Sequence, residues 1–253
     1  MHHQPVAMKI NCDLGEGLQN IDAQLLPLVD QANIACGAHA GDEDSIRRCL
    51  TLAKHHQTEV GIHPSYPDRK HFGRRSLTIS NTDLEASLTQ QIEVFLAISR
   101  EADLHPGYIK AHGALYNDLM QRPDLCDWFF SFIASTHQTH NIKLDIMLSA
   151  SRYSDEILAR ASALGLQLIF EAFADRAYMA NGALVPRSQH NAVLDKATDI
   201  IAQYRQLQQN SEVICQNGDK LKLHVDSVCF HGDNPASVDA ILRLRKSNTD
   251  TLQ

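Results

Sequence analysis

The sequence predicts an α/β fold, a TIM-like barrel of seven β/α units with a small β-hairpin added near the end. Three observations carry that expectation. Short apolar runs alternate with segments whose apolar residues recur at helical spacing. Five polar motifs, NCDLGEG, CGAHAGD, GIHPSYPD, KAHGALYN and CFHGD, follow such runs, and parallel strands would gather all five at one end of a barrel. The open-sheet alternative lacks its fingerprint, because NCDLGEG does not fit the GxGxxG turn that normally follows the first strand of a Rossmann sheet. A chain of 253 residues, 43% of them hydrophobic, can bury one core of this kind. No Pro/Gly/Ser-rich linker divides it, so residues 8–246 are expected to form a single domain, with flexible ends at 1–7 and 247–253.

The first strand is read over residues 9–12 and runs into Asp13 and Glu16, with helical spacing over 22–30 after it. A second strand, 32–36, leads into His39, and a helix over 44–55 follows. The third strand, 59–62, ends at His63, where Pro64 fixes the exit. Asn81-Thr82-Asp83 marks the start of a helix over 83–102. The fourth strand, 107–111, delivers Lys110 and His112, which share period-2 parity and so point to one side. A helix over 115–136, a strand over 143–148 and a helix over 154–164 come next. In the strand over 167–173, Glu171, Phe173 and Asp175 share parity if the strand continues that far. After a helix over 192–207, VICQNGDKLKLHV alternates around Asn217-Gly218 and reads as the hairpin. The last strand, 227–230, ends beside His231, and Asn234-Pro235 opens a helix over 235–245.

Composition narrows the function classes. With 23 basic against 30 acidic residues and a formal charge of −7, the chain is a poor partner for nucleic acid or an anionic membrane. MHHQPVA has no apolar h-region, and no run approaches the roughly 20 apolar residues that span a bilayer. Six cysteines without a CxxC pair read as reduced thiols of a cytoplasmic protein.

Each candidate residue has a structural reading beside the functional one. Asp13 and Glu16 can cap a turn, and His39, among Gly37 and Gly41, can be a core histidine satisfied by backbone. His63 can serve only to shape the strand exit, and Arg176 can simply be a salt-bridge partner. Convergence of Asp13, His39, His63, Lys110, His112 and Asp175 on one pocket favours chemistry. His55-His56 and His137 with His140 read as solvated helix-end residues, and WFFSF (128–132) as core packing or an intersubunit contact.

Seven ordered segments, NCDLGEG, ANIACGAHAGD, GIHPSYPDR with FGRR, KAHGALYN, EAFADRAY, LVPRS and CFHGD, resemble the LamB/YcsF family, the A subunit of bacterial 5-oxoprolinase. The resemblance implies an irregular barrel akin to polysaccharide deacetylases. It also implies ATP-dependent opening of 5-oxoproline to glutamate together with B and C subunits. Such chemistry needs a proton acceptor for water, donors for a developing oxyanion and an acid for the departing nitrogen. The catalytic set would be Asp13, His39, His63, Lys110, His112 and Asp175, with Asn11, Glu16, Asn33, Tyr116, Arg176, Arg187 and His231 binding substrate. ATP, with Mg2+, is the expected co-substrate, and no tightly bound transition metal is expected. No GxxxxGK[ST] loop says where the nucleotide sits. Two alternatives stay open: a metal-dependent hydrolase using Asp13, His39 and His63, and a non-catalytic binding subunit.

Overall fold

The computed structural model describes residues 8–250, with side chains through residue 246. Seven parallel strands, β1 (Lys9–Leu14), β2 (Gln31–Ala35), β3 (Glu59–His63), β4 (Tyr108–Ile109), β5 (Asp145–Ser149), β6 (Leu168–Phe173) and β9 (Ser227–Cys229), close into a barrel in that order. The expected hairpin is present as an antiparallel pair, β7 (Glu212–Ile214) and β8 (Lys220–Lys222), outside the barrel. Among the described residues eight α-helices surround it: α1 (Gln19–Leu25), α2 (Glu43–His56), α3 (Asn81–Glu101), α4 (Gly113–Gln121), α5 (Pro123–His140), α6 (Ser154–Ser162), α7 (Ala197–Asn210) and α8 (Pro235–Asp250). Of the ends expected to be flexible, 1–7 and 251–253 lie outside the described residues, while the backbone of 247–250 continues α8.

Period-2 geometry sorts the strands into two faces. On the outward parity, Ile10, Cys12, Leu14, Ile34, Val60, Ile62, Ile109 and Val228 are buried under the helices in one apolar cluster. Each fully buried Leu, Ile or Phe there contributes about 1.5–3 kcal/mol. The inward parity is polar. Asn11 Nδ2 donates to Ser227 Oγ at 2.8 Å, Ser227 Oγ to Gln31 Oε1 at 2.8 Å, and Gln31 Nε2 to Glu59 Oε2 at 3.2 Å. One step higher, Asn33 Nδ2 donates to Asn11 Oδ1 at 2.8 Å and Tyr108 Oη to Asn33 Oδ1 at 2.6 Å. Tyr108 reaches across only because Gly61 has no side chain, since a Cβ there would lie 2.2 Å from the Tyr108 ring.

The structure departs from the sequence reading in three elements. The helix expected over 115–136 is two helices, because Pro123 cannot donate to the preceding turn and holds Arg122 in an extended conformation (φ −121°, ψ 96°). The segment expected to be helical from 192 instead bridges Val193 to Arg176, and α7 begins only at Ala197. The helix read over 22–30 ends at Leu25 and gives way to a 3₁₀ turn, Leu26–Leu28, containing Pro27. His137, expected to be solvated, is half-buried and lies 3.0 Å from the Leu144 backbone N, tying α5 to the entry of β5. Phe129, Phe130 and Phe132 pack in the core. All six cysteines are unbridged thiols. No helix among the described residues is long and apolar enough to cross a membrane.

Candidate active site

The carboxyl ends of the strands open into a cavity of about 890 Å³. Lys110 occupies the centre of its floor. The Lys110 backbone N donates to the Ile62 carbonyl at 2.9 Å, so the chain beyond β4 still follows β3. The ammonium lies 2.9 Å from Asp13 Oδ1 and 2.7 Å from Glu171 Oε1. Burial alone would pull this amine down, but Asp13 and Glu171 outweigh it and hold Lys110 well above its ordinary value. Asp13 is the mirror case: burial pushes its carboxyl up, yet Lys110 and His63 leave it well below the usual range. Lys110 therefore acts as a fixed positive charge rather than a base. Tyr116 Oη donates to the other Glu171 oxygen at 2.8 Å, which completes that carboxylate's support.

Three imidazoles surround Glu16. Its Oε1 lies 3.0 Å from His39 Nε2, 3.2 Å from His112 Nδ1 and 3.9 Å from His63 Nε2. The His39 and His112 rings stack 3.7 Å apart and 3° from parallel. Burial lowers His39 to about 4 against the opposing pull of Glu16. His112 is lowered for the same reason, also against Glu16. Burial would raise Glu16, but hydrogen bonds with His112 and His39 bring it well below its ordinary value.

On the far wall His231 Nδ1 lies 2.7 Å from Asp175 Oδ1, and Asn234 Nδ2 donates to Asp175 Oδ2 at 3.2 Å. Burial would raise Asp175; His231 and Asn234 outweigh it and keep the carboxyl low. An ionised carboxylate only accepts, so His231 Nδ1 carries the donated hydrogen, and in the neutral ring the lone pair is on Nε2. The ring is held flat against Phe173, 5.6 Å away and 13° from parallel. Above it, Arg176 donates to the Ala192 and Val185 carbonyls at 3.2 and 2.7 Å. Burial and the nearby charge of Arg187 lower Arg176 to about 10, which leaves it cationic at neutral pH.

Asp13, Glu16, His63, Lys110 and His112 thus border the cavity from the floor, and Tyr116, Arg176, Arg187 and His231 border it from the walls. Four residues expected at the site lie behind it. Asn11 and Asn33, read as substrate-binding, are fully buried below Lys110, where they brace Asp13 and Tyr108. His39 stands behind Glu16, and Asp175 lies behind His231. The Asp13, His39, His63 metal set is not assembled either: among the described residues the donors that come within 4.8 Å of one another fall in two groups, Glu16 with His39, His63 and His112, and Asp13 with Cys229 and His231. Glu171 was missed, although its parity with Phe173 and Asp175 pointed inward. Arg74 and Asp233, 2.9 Å apart at the rim, were also missed inside the motifs FGRR and CFHGD.

With that geometry in place, comparison with known proteins is direct. The profile of the LamB/YcsF family matches residues 8–251. A Vibrio cholerae serotype O1 protein, named as the A subunit of 5-oxoprolinase, is 38% identical over 242 residues, covering 94% of this chain and 96% of that one. A Pseudomonas aeruginosa protein, named as 5-oxoprolinase A subunit 3, is 39% identical over 240 residues, covering 93% and 94%. Among solved structures, the lactam utilization protein from Thermus thermophilus superposes with a TM-score of 0.81 at 28% identity, covering 95% of this chain and 97% of that one. Barrel, motifs and near end-to-end similarity agree, and the chain belongs to the LamB/YcsF family.

Proposed function

We propose that this chain is the A subunit of a multi-subunit 5-oxoprolinase and performs the hydrolytic half of the ATP-dependent opening of 5-oxoproline (pyroglutamate) to glutamate. One observation supports the reading most. A cationic wall faces a proton-handling site in a chain similar nearly end to end to proteins named as 5-oxoprolinase A subunits.

A five-membered lactam resists water because its amide is resonance-stabilised. Phosphorylation of the lactam oxygen by ATP, with Mg2+, removes that resistance. The sequence has no GxxxxGK[ST] loop, and this activation is assigned to the B and C partners. The activated ring then sits with its carboxylate against Arg187, whose planar fork suits a carboxylate, beside the positive charge of Arg176. His231 Nε2 takes a proton from water as the oxygen adds to the activated carbon. Lys110 faces the charge that develops there. The same imidazole returns the proton to the ring nitrogen as the C–N bond breaks, and a second water releases the phosphate from the acyl group. Asp175 keeps His231 in the competent tautomer throughout. Six free thiols and an ATP co-substrate go with a cytoplasmic setting.

The test is a turnover assay with ATP and 5-oxoproline on this chain alone and mixed with its B and C partners. Glutamate should form only in the mixture. Full-rate, ATP-coupled turnover by the isolated chain would remove the partner requirement, and no glutamate from the complete mixture would remove the assignment.

A further inference from the structure

His63 Nδ1 lies 2.7 Å from the Lys110 carbonyl, and His112 Nε2 lies 3.0 Å from the Phe72 carbonyl. A carbonyl only accepts, so both of these nitrogens carry N–H. In the neutral rings His63 Nε2 and His112 Nδ1 are therefore bare lone pairs. They face each other at 3.0 Å. Glu16 Oε1 lies 3.2 and 3.9 Å from His112 Nδ1 and His63 Nε2, and Asp13 Oδ2 lies 3.4 Å from His63 Nε2. Four electron-rich atoms converge, while the Lys110 ammonium is engaged by the other Asp13 oxygen and by Glu171.

We propose that His63 Nε2, His112 Nδ1 and Glu16 Oε1 bind a first-row divalent metal ion at the cavity floor, with Asp13 beside it. The three donor atoms form a triangle whose circumscribed radius is about 2.0 Å, close to a zinc–nitrogen or zinc–oxygen bond length. A point one bond length from all three exists without any movement of the backbone. The surroundings match what ligands require. Each imidazole donates its other N–H to a backbone carbonyl, and His39 Nε2 steadies Glu16 at 3.0 Å. Charge points the same way. The floor carries the carboxylates of Asp13, Glu16 and Glu171 against the single ammonium of Lys110. A proton shared by the two rings leaves a negative charge uncompensated, whereas a dication balances the group. Two imidazoles and a carboxylate suit zinc, cobalt or manganese better than magnesium or calcium. All three ligands border the cavity, so an open coordination position faces it and can take water or a lactam oxygen. This departs from the sequence-based expectation of no resident transition metal, and its ligands differ from the Asp13, His39, His63 set.

The test strips the full-length chain with a chelator, dialyses it, and titrates it with Zn2+ by calorimetry and with Co2+ by visible absorption. One ion per chain is expected for the wild type and for a His55→Ala/His56→Ala variant, which removes the exposed histidine pair at the end of α2. His63→Ala and His112→Ala should take up none, and His39→Ala should bind about 10- to 100-fold more weakly. Circular dichroism checks that each variant folds; if His63→Ala does not, the near-isosteric Glu16→Gln should still show the weakened uptake. Absence of uptake by the wild type overturns the proposal. So does uptake that survives in both histidine variants, or a 15N spectrum of the Zn2+-exposed chain showing a proton shared between His63 and His112. Because the readout is bound metal, failure here leaves the 5-oxoproline reaction standing.

Discussion

Asp175 and His231 show how much a residue's role depends on depth. Both belong to motifs at strand ends, and the sequence reading made the aspartate catalytic and the histidine a substrate contact. The structure places them at different depths, with Asp175 fully buried and joined to the cavity through the imidazole, and the proposed reaction therefore gives the proton transfer to His231. Replacing His231 by Asn should lower glutamate formation by the assembled enzyme on the order of 10²-fold or more, the usual scale for acid/base catalysis. Asp175→Asn should lose kcat while leaving KM nearly unchanged, and it should shift the acidic limb of the pH–kcat profile because the imidazolium loses its counter-charge. Equal loss from a purely structural change would appear instead as a lower melting temperature with the pH profile unmoved. Period-2 parity made Lys110 and His112 legible as a pair, and the His63 strand end was equally plain. Parity says which face a side chain occupies but not how far along the barrel axis it lies, which is why Asn11 and Asn33 were placed one layer too high.

Elements were readable wherever a local signal sets them. The seven strands, the hairpin around Asn217-Gly218 and most helices follow from apolar period and turn residues. Pro123 is a local breaker too, but the apolar spacing runs on through it and hid the gap between α4 and α5. His137 was not readable, because its partner, the Leu144 backbone, lies across a turn whose shape the sequence does not state. His137→Ala should leave the fully buried Leu144 without a hydrogen-bond acceptor for its N–H, costing about 1–3 kcal/mol. Activity should not change, since this contact sits at the amino end of β5 and the cavity at the opposite end. Burial holds the folded-state pKa of His137 below its ordinary value, against the pull of the Leu144 backbone. Its stabilisation is therefore fully present above the unfolded imidazole pKa and is lost as pH falls through the lowered folded one. Thermal melts of wild type and variant should differ most above the unfolded imidazole pKa of about 6.5 and converge as the pH falls below it. A gap that stays constant with pH would remove His137 from this role.

At the scale of the whole molecule, a chain of formal charge −7 concentrates Arg74, Arg176 and Arg187 around one cavity, an arrangement that draws a small anion to a single place. The same chain carries no recognisable phosphate-binding loop, so the proposed reaction divides into activation on the partners and hydrolysis here. That division has a measurable consequence for coupling. In the wild-type assembly, ADP and glutamate should appear in about equal amounts, because each activated ring is opened as it forms. With His231→Asn in the assembly, activation continues while ring opening slows, so activated 5-oxoproline is lost to water by decay back to 5-oxoproline and phosphate. The ratio of ADP to glutamate should then rise well above the wild-type value while ATP consumption falls far less than glutamate formation. Both products are followed in one reaction, with folding of the variant confirmed by its melting temperature. If ADP and glutamate fall together in strict proportion, this chain takes part in activation itself, and the division of labour argued from its cavity is wrong.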